Sequence, residues 1–180
     1  GINTTWNRVK GGGEIGAILY EIEENFDFVN SSKHISKLLE AYTLIAKLED
    51  KHWRKIKEKQ IKEIIKACTG LYLEASAESS SATPNSKINV DLEILNRSNV
   101  AMILFSISST IDKKISAKQV AISNNKKLNF KETINLKGVK YSDPYWLRKP
   151  ATLGMYAVDN QLLIGNPETP RPAAIDFNLI

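Results

Sequence analysis

Ala67-Cys68-Thr69-Gly70-Leu71-Tyr72-Leu73-Glu74-Ala75 is where the chain changes its period. Before it, Trp53, Ile56, Ile64, Ile65 and Cys68 recur at helical spacing, so they share one side of a helix. After it, Leu71, Leu73 and Ala75 alternate with Tyr72, Glu74 and Ser76, the period of a strand. Gly70 between them stops the helix. The nonapeptide therefore divides the 180 residues into a helical region over 1–69 and a strand-rich region over 70–180, an α+β chain.

On the helical side, Ile15, Ile18, Leu19, Ile22 and Phe26 predict a first helix from about Glu14 to Asn25. Ser31 or Ser32 is expected to cap a second helix carrying Ile35, Leu38, Leu39, Tyr42, Ile45 and Leu48 and ending near Glu49. Asp50 is expected to cap a third, with Lys55, Lys59, Lys62 and Lys66 on its outer side. These three stripes are too small for an independent large core, so the helices are expected to dock on the strands.

On the strand side, Ile88, Val90, Leu92 and Ile94 give the clearest alternation, opposed by Asn89, Asp91 and Glu93. The polar stretch Glu78–Ser86 reads as a loop, and Asn96-Arg97-Ser98-Asn99 as a turn. Val100–Ile107 is apolar on both faces and reads as a central strand. Further strands are expected at Gln119–Ser123, Leu128–Leu136, Met155–Val158, Leu162–Ile164 and Ala173–Leu179. Turn signals at this spacing predict an antiparallel immunoglobulin-like or fibronectin-like β-sandwich.

Chemistry-bearing patterns are sparse. One cysteine, Cys68, excludes an internal disulfide and a multi-cysteine zinc site. His34 and His52 stand apart with no ligand-spaced neighbour, so no metal is assigned. Glu21, Glu23 and Glu24 read as a solvated helix face. Gly11, Gly13 and Gly16 match the spacing of a dinucleotide loop, but Thr4-Thr5-Trp6-Asn7-Arg8 is not the hydrophobic strand that such a loop must follow. The net charge of +5 comes mostly from the third helix, whose lysines alternate with Glu58 and Glu63; it is not a nucleic-acid signature. No apolar run approaches the roughly 18 residues of a membrane span. Asn3, Asn30 and Asn96 head glycosylation sequons, triplets that also arise by chance. No catalytic residue and no bound cofactor are assigned.

The residues best placed to meet a ligand lie in Asp143–Ile180, the segment that the strand region is expected to be organised around. Pro144 and Pro150 stiffen the connection that holds Tyr145 and Trp146. Trp146 either folds inward as a plug, its indole N–H bonded to a backbone carbonyl, or stands out as a platform for a sugar ring. The plug is the preferred reading, because a large aromatic beside Leu147 is usually buried packing. Tyr145, Trp146 and Tyr156 are the candidate ligand or interface residues.

Several stretches together carry a family resemblance: Gly1-Ile2-Asn3-Thr4-Thr5-Trp6-Asn7-Arg8-Val9, the junction quoted above, Asn96-Arg97-Ser98, and Pro144-Tyr145-Trp146-Leu147. Gly154-Met155-Tyr156, Asp159-Asn160-Gln161, Leu163-Ile164-Gly165 and Pro167-Glu168 agree with them. The combination resembles the non-catalytic region that follows the deacetylase domain in long bacterial PIG-L (LmbE-like) proteins. The resemblance implies an attached upstream domain that removes N-acetyl groups from amino sugars with zinc and an Asp general base. It also implies a carbohydrate ligand and a periplasmic or secreted bacterial protein. The family's His-Pro-Asp-Asp run is absent here, so the zinc would belong to the upstream domain and this segment would be an accessory region. An independent glycan- or protein-binding sandwich is the other reading.

Overall fold

The computed structural model describes residues 1–112 and 115–180, apart from the side chains of 115 and 117. Among the described residues the chain is mixed α+β, with three α-helices and two antiparallel sheets of three strands. It divides into two compact units: Gly1–Glu74 with Glu93–Met102 and Ala121–Leu128, and Ala75–Leu92 with Ile103–Val120 and Asn129–Ile180. No helix among the described residues is long and apolar enough to cross a membrane.

The first unit is built on helices α1 (Gly12–Glu24), α2 (Ile35–Ala46) and α3 (Lys51–Cys68). Asp50 caps α3 as its sequence position predicts, one carboxylate oxygen accepting the N–H groups of His52 and Trp53 at 3.0 Å each. At the other end Gly70 takes a left-handed φ of +57°, and the Leu71 N–H reaches back to the Lys66 carbonyl at 3.0 Å. That bond consumes a carbonyl the helix would otherwise leave unpaired, which is why the period changes at this glycine.

The start of α2 differs from expectation. Ser31 and Ser32 do not cap it; they lie within a 3-10 turn, Ser31–His34, that leads into the helix. The Ser31 hydroxyl donates instead to the Cys68 carbonyl at 2.9 Å, tying the end of α3 to that turn. The helix also stops at Ala46, short of Glu49, and Leu48 is buried in the connection that follows.

The apolar stripes meet in two clusters. Val9, Ile15, Ala41, Ile45, Leu48 and Ile61 form one; Ile22, Ile35, Leu38 and Cys68 form the other, with Val100 packed against it. The glycine run serves this packing. Gly11 is left-handed at φ +82°, and a Cβ on Gly12 would overlap the Trp6 carbonyl oxygen. A Cβ on Gly16 would lie 2.9 Å from that of Trp6. The short turn Trp6–Arg8 thus rests directly on the backbone of α1, a close approach that only glycine permits.

The strands are β1 (Tyr72–Ala77), β2 (Lys87–Leu95), β3 (Ile103–Ser109), β4 (Ile115–Ala121), β5 (Leu128–Asn135) and β6 (Ile175–Leu179). They order as β1-β2-β5 and β4-β3-β6. In β2, Val90, Leu92 and Ile94 are buried while Asn89 and Asp91 are exposed, the alternation that the sequence predicts. β3 is the central strand of its sheet and pairs with β6 in antiparallel register, Leu104 opposite Leu179 and Ile107 opposite Phe177. Its two faces are not both buried, however: Leu104 and Ile107 are covered, but Ile103 and Phe105 are exposed. The register shifts between Leu104 and Ser106, so Phe105 occupies a bulge and leaves the covered face.

Two expected strands do not form. Met155–Val158 has only an isolated bridge between Thr152 and Met155, and Leu162–Ile164 overlaps a 3-10 turn, Gln161–Leu163, whose first N–H groups are met by Asn160. Gly154 at φ +85° and Gly165 at φ +89° turn the chain at both sites. Met155 and Tyr156 in the first segment and Leu162 and Ile164 in the second are exposed, leaving each with little apolar surface to bury against a neighbouring strand.

Candidate functional site

The aromatic corner at Pro144 is assembled by contacts distant in sequence. Tyr145 and Trp146 lie in a 3-10 turn, Tyr145–Leu147, entered from Pro144 at φ −60°. The Tyr145 N–H donates to the Thr169 hydroxyl at 3.0 Å, and its phenol donates to the Asn166 carbonyl at 3.0 Å. Thr169 in turn donates to the Asp143 carbonyl at 2.8 Å, so one hydroxyl clamps both sides of Pro144. Asp143 also receives Arg148 at 2.8 Å, and Lys149 reaches Asp159 at 2.7 Å.

The buried aromatic of this corner is Tyr145, not Trp146. Tyr145 is 7% exposed and satisfies its hydroxyl internally. Trp146 remains half-buried, edge-to-face on Tyr145 with ring centroids 4.9 Å apart and planes at 89°. The expected indole plug is thus replaced by a phenol plug. Tyr145 wins the interior because its polar end finds a carbonyl there.

A groove of about 610 Å³ opens over Trp146, lined also by Tyr145, Met155, Tyr156, Val158, Ile164 and Pro167. All three candidate residues, Tyr145, Trp146 and Tyr156, therefore border one surface. Tyr156 is 61% exposed and Met155 71%, so the groove offers ring faces and a thioether to solvent. No charged side chain is among the described residues that line it. Such a wall suits a neutral ligand held by stacking and apolar contact. Met155, Ile164 and Pro167 were not foreseen as lining residues. The signal for them was the pair of glycines, Gly154 and Gly165, that turn this segment.

The other sequence candidates are occupied structurally. His34 is buried, stacks on Phe26 at 5.2 Å, and its Nε2 accepts the Asp27 N–H at 3.1 Å. His52 lies in the first turn of α3, its ring centroid 5.4 Å from that of Trp53 with the planes at 82°. Glu21 pairs with Lys37, while Glu23 and Glu24 face solvent. Burial pushes the Cys68 thiol above its usual pKa, which disfavours the reactive thiolate. Among the described residues no three His, Cys, Asp or Glu side chains gather as metal ligands.

Of the sequon asparagines, Asn96 is fully buried. Its amide donates to the Val100 carbonyl at 2.9 Å and accepts from the Ser98 N–H and hydroxyl, so its role is to hold the turn after β2. Comparison with family models, with curated proteins and with solved structures gives no match to this chain.

Proposed function

We propose that this chain is a non-catalytic accessory region of a PIG-L/LmbE-type carbohydrate N-deacetylase, and that its groove at Trp146 presents a sugar ring. The observation that carries the reading is the neutral aromatic groove, with Trp146 half-exposed and braced by a buried Tyr145. A sugar ring offers a flat C–H face to an indole, and a wall without charge matches a neutral N-acetylated unit. The zinc and the Asp base of the reaction would lie in the attached catalytic domain.

The same reading treats the six strands as an immunoglobulin- or fibronectin-type sandwich. The order β1-β2-β5 follows A-B-E of such folds, and β4-β3-β6 follows C′-C-F. Lys118 on β4 and Glu132 on β5 support it, since they join edge strands of the two sheets at 2.6 Å with both side chains mostly buried. Ile107, Ile134 and Ile175, drawn from both sheets, line one small cavity of about 20 Å³, as inward-facing residues of a sandwich would.

Titration of the chain with N-acetylglucosamine oligomers, followed by tryptophan fluorescence, tests the groove. Saturable change is expected, and Trp146→Ala or Tyr156→Ala should abolish it while the fold is retained. Fluorescence unmoved by every oligomer would remove the carbohydrate reading. Attachment is tested separately by the reading frame upstream of Gly1, which should encode a His-Pro-Asp-Asp segment. Binding without that segment favours an independent glycan-binding module.

A further inference from the structure

A second aromatic cluster lies in the first unit, and its chemistry is the opposite of the groove's. Trp6 comes from the turn Trp6–Arg8, Trp53 from the first turn of α3, and both are half-buried. The Arg8 guanidinium sits 4.5 Å from the Trp53 ring centroid. The Lys57 ammonium sits 5.3 Å from the Trp6 centroid and 5.8 Å from that of Trp53. The four side chains, with Thr4, Thr5 and Val9, line a half-open cavity of about 120 Å³.

An indole face attracts a cation but does not neutralise it. Here two cations converge on one cavity; the Lys57 ammonium donates to the neutral Gln60 amide oxygen at 2.8 Å, and among the described residues no carboxylate pairs with either cation. Glu49 is committed to Lys10 at 3.1 Å, and Asp50 to the N–H groups that start α3. Among the described residues no ion pair involves Arg8, Lys57 or any other cation of α3. That helix carries Lys51, Arg54, Lys55, Lys57, Lys59, Lys62 and Lys66 against only Glu58 and Glu63, so the field around the cavity is positive. The cavity has room for one small oxyanion and its contacts.

We infer that the Trp6–Trp53 cavity binds the oxyanion of a negatively charged ligand, a phosphate or carboxylate group, with Arg8 and Lys57 as the charged donors. The geometry supports a group and not a whole nucleotide, and the inference stands apart from the carbohydrate reading because it uses none of the groove residues. The rigid guanidinium fork supplies direction, and the ammonium supplies charge.

The test uses the full chain labelled with ¹⁵N on its indoles and titrated at low ionic strength with inorganic phosphate, a sugar phosphate and a uronate. The Trp6 and Trp53 indole signals should shift saturably, with Trp146 unmoved. Rising sodium chloride should weaken the shift, as exposed charges are screened. Arg8→Ala and Lys57→Gln should each lower affinity about tenfold or more, and Arg8→Lys should recover part of it. Saturation by the phosphates alone assigns a phosphorylated ligand; saturation by uronate as well assigns oxyanions in general. Shifts absent up to tens of millimolar would overturn the assignment, as would equal movement of Trp146. If a variant fails to fold, the salt dependence and the selectivity among the three indoles in the unsubstituted chain still decide the question.

Discussion

The Trp6–Trp53 corner and the Tyr145–Trp146 corner use the same residue types to opposite ends. In the first, indole faces gather two cations beside a helix that carries seven cations against two acids. In the second, the indole leans on a phenol and the lining is neutral. Their supports differ as well: the first rests on glycines of α1 and on a helical core, the second on hydrogen bonds from Tyr145 to residues more than twenty positions away. An aromatic pair thus says little about function until its neighbours' charges and its scaffold are known.

The scaffold difference is the easiest to break. Ile15 and Leu38 are at most 2% exposed, so Ile15→Ala or Leu38→Ala should each cost about 2–5 kcal/mol in urea unfolding. Leu153→Ala and Leu162→Ala, on the exposed segment around the groove, should stay within about 0.5 kcal/mol. Equal losses at the two places would erase the contrast.

Gly12→Ala should cost about 1–3 kcal/mol, because its new methyl group must displace the Trp6 carbonyl. It should also move the Trp6 and Trp53 indole resonances while leaving Trp146 in place. Tyr145→Phe should cost about 1 kcal/mol by orphaning the Asn166 carbonyl. Trp146→Ala should cost a similar ~1 kcal/mol, the worth of an edge-to-face pair, and well below a cavity-forming loss. A loss above about 3 kcal/mol for Trp146→Ala would restore the indole as the plug.

The smallest effect is electrostatic. Asp27 is held at a pKa of about 2, first by the Asn30 N–H and then by Lys33 and the Val29 N–H. A depressed carboxylate adds stability above its unfolded pKa and loses it as pH falls through the folded value. Melting temperature should therefore decline between about pH 4 and pH 2, and Asp27→Asn should flatten part of that decline. An unchanged acid limb in the variant would show that the Asp27 contacts contribute nothing in solution.

What the sequence disclosed follows from the range of the forces involved. The caps at Asp50 and Gly70, the stripe of α1 and the alternation in β2 are local signals, and the structure reproduces them; in α3 the expected stripe holds at Cys68 but not at Ile64, which is exposed, while Ile61, outside that stripe, is buried. The Asp143–Gly165 region is set by distant partners such as Thr169 and Asn166, which no periodicity reports, and there two expected strands failed to form. Gly11, Gly13 and Gly16 were legible as a spacing, but nothing in the sequence marked Gly12 and Gly16 as a seat for Trp6. Tyr145 and Trp146 were nameable from local stiffness and Tyr156 as a further candidate, whereas their convergence on one groove was not legible.

Cys68 gives the first unit a built-in clock. It is the chain's single sulfhydryl, sealed beneath Ile22, Ile35 and Leu38 at the last turn of α3, where the Ser31 hydroxyl holds its carbonyl. A thiol reagent can reach it only when that end of the helix opens, so the labelling half-life in native buffer reads the free energy of that local opening. Reagent uptake that keeps pace with global unfolding would mean α3 and the turn Ser31–His34 open together with the rest of the chain. Faster uptake would measure how readily the helix end frays by itself.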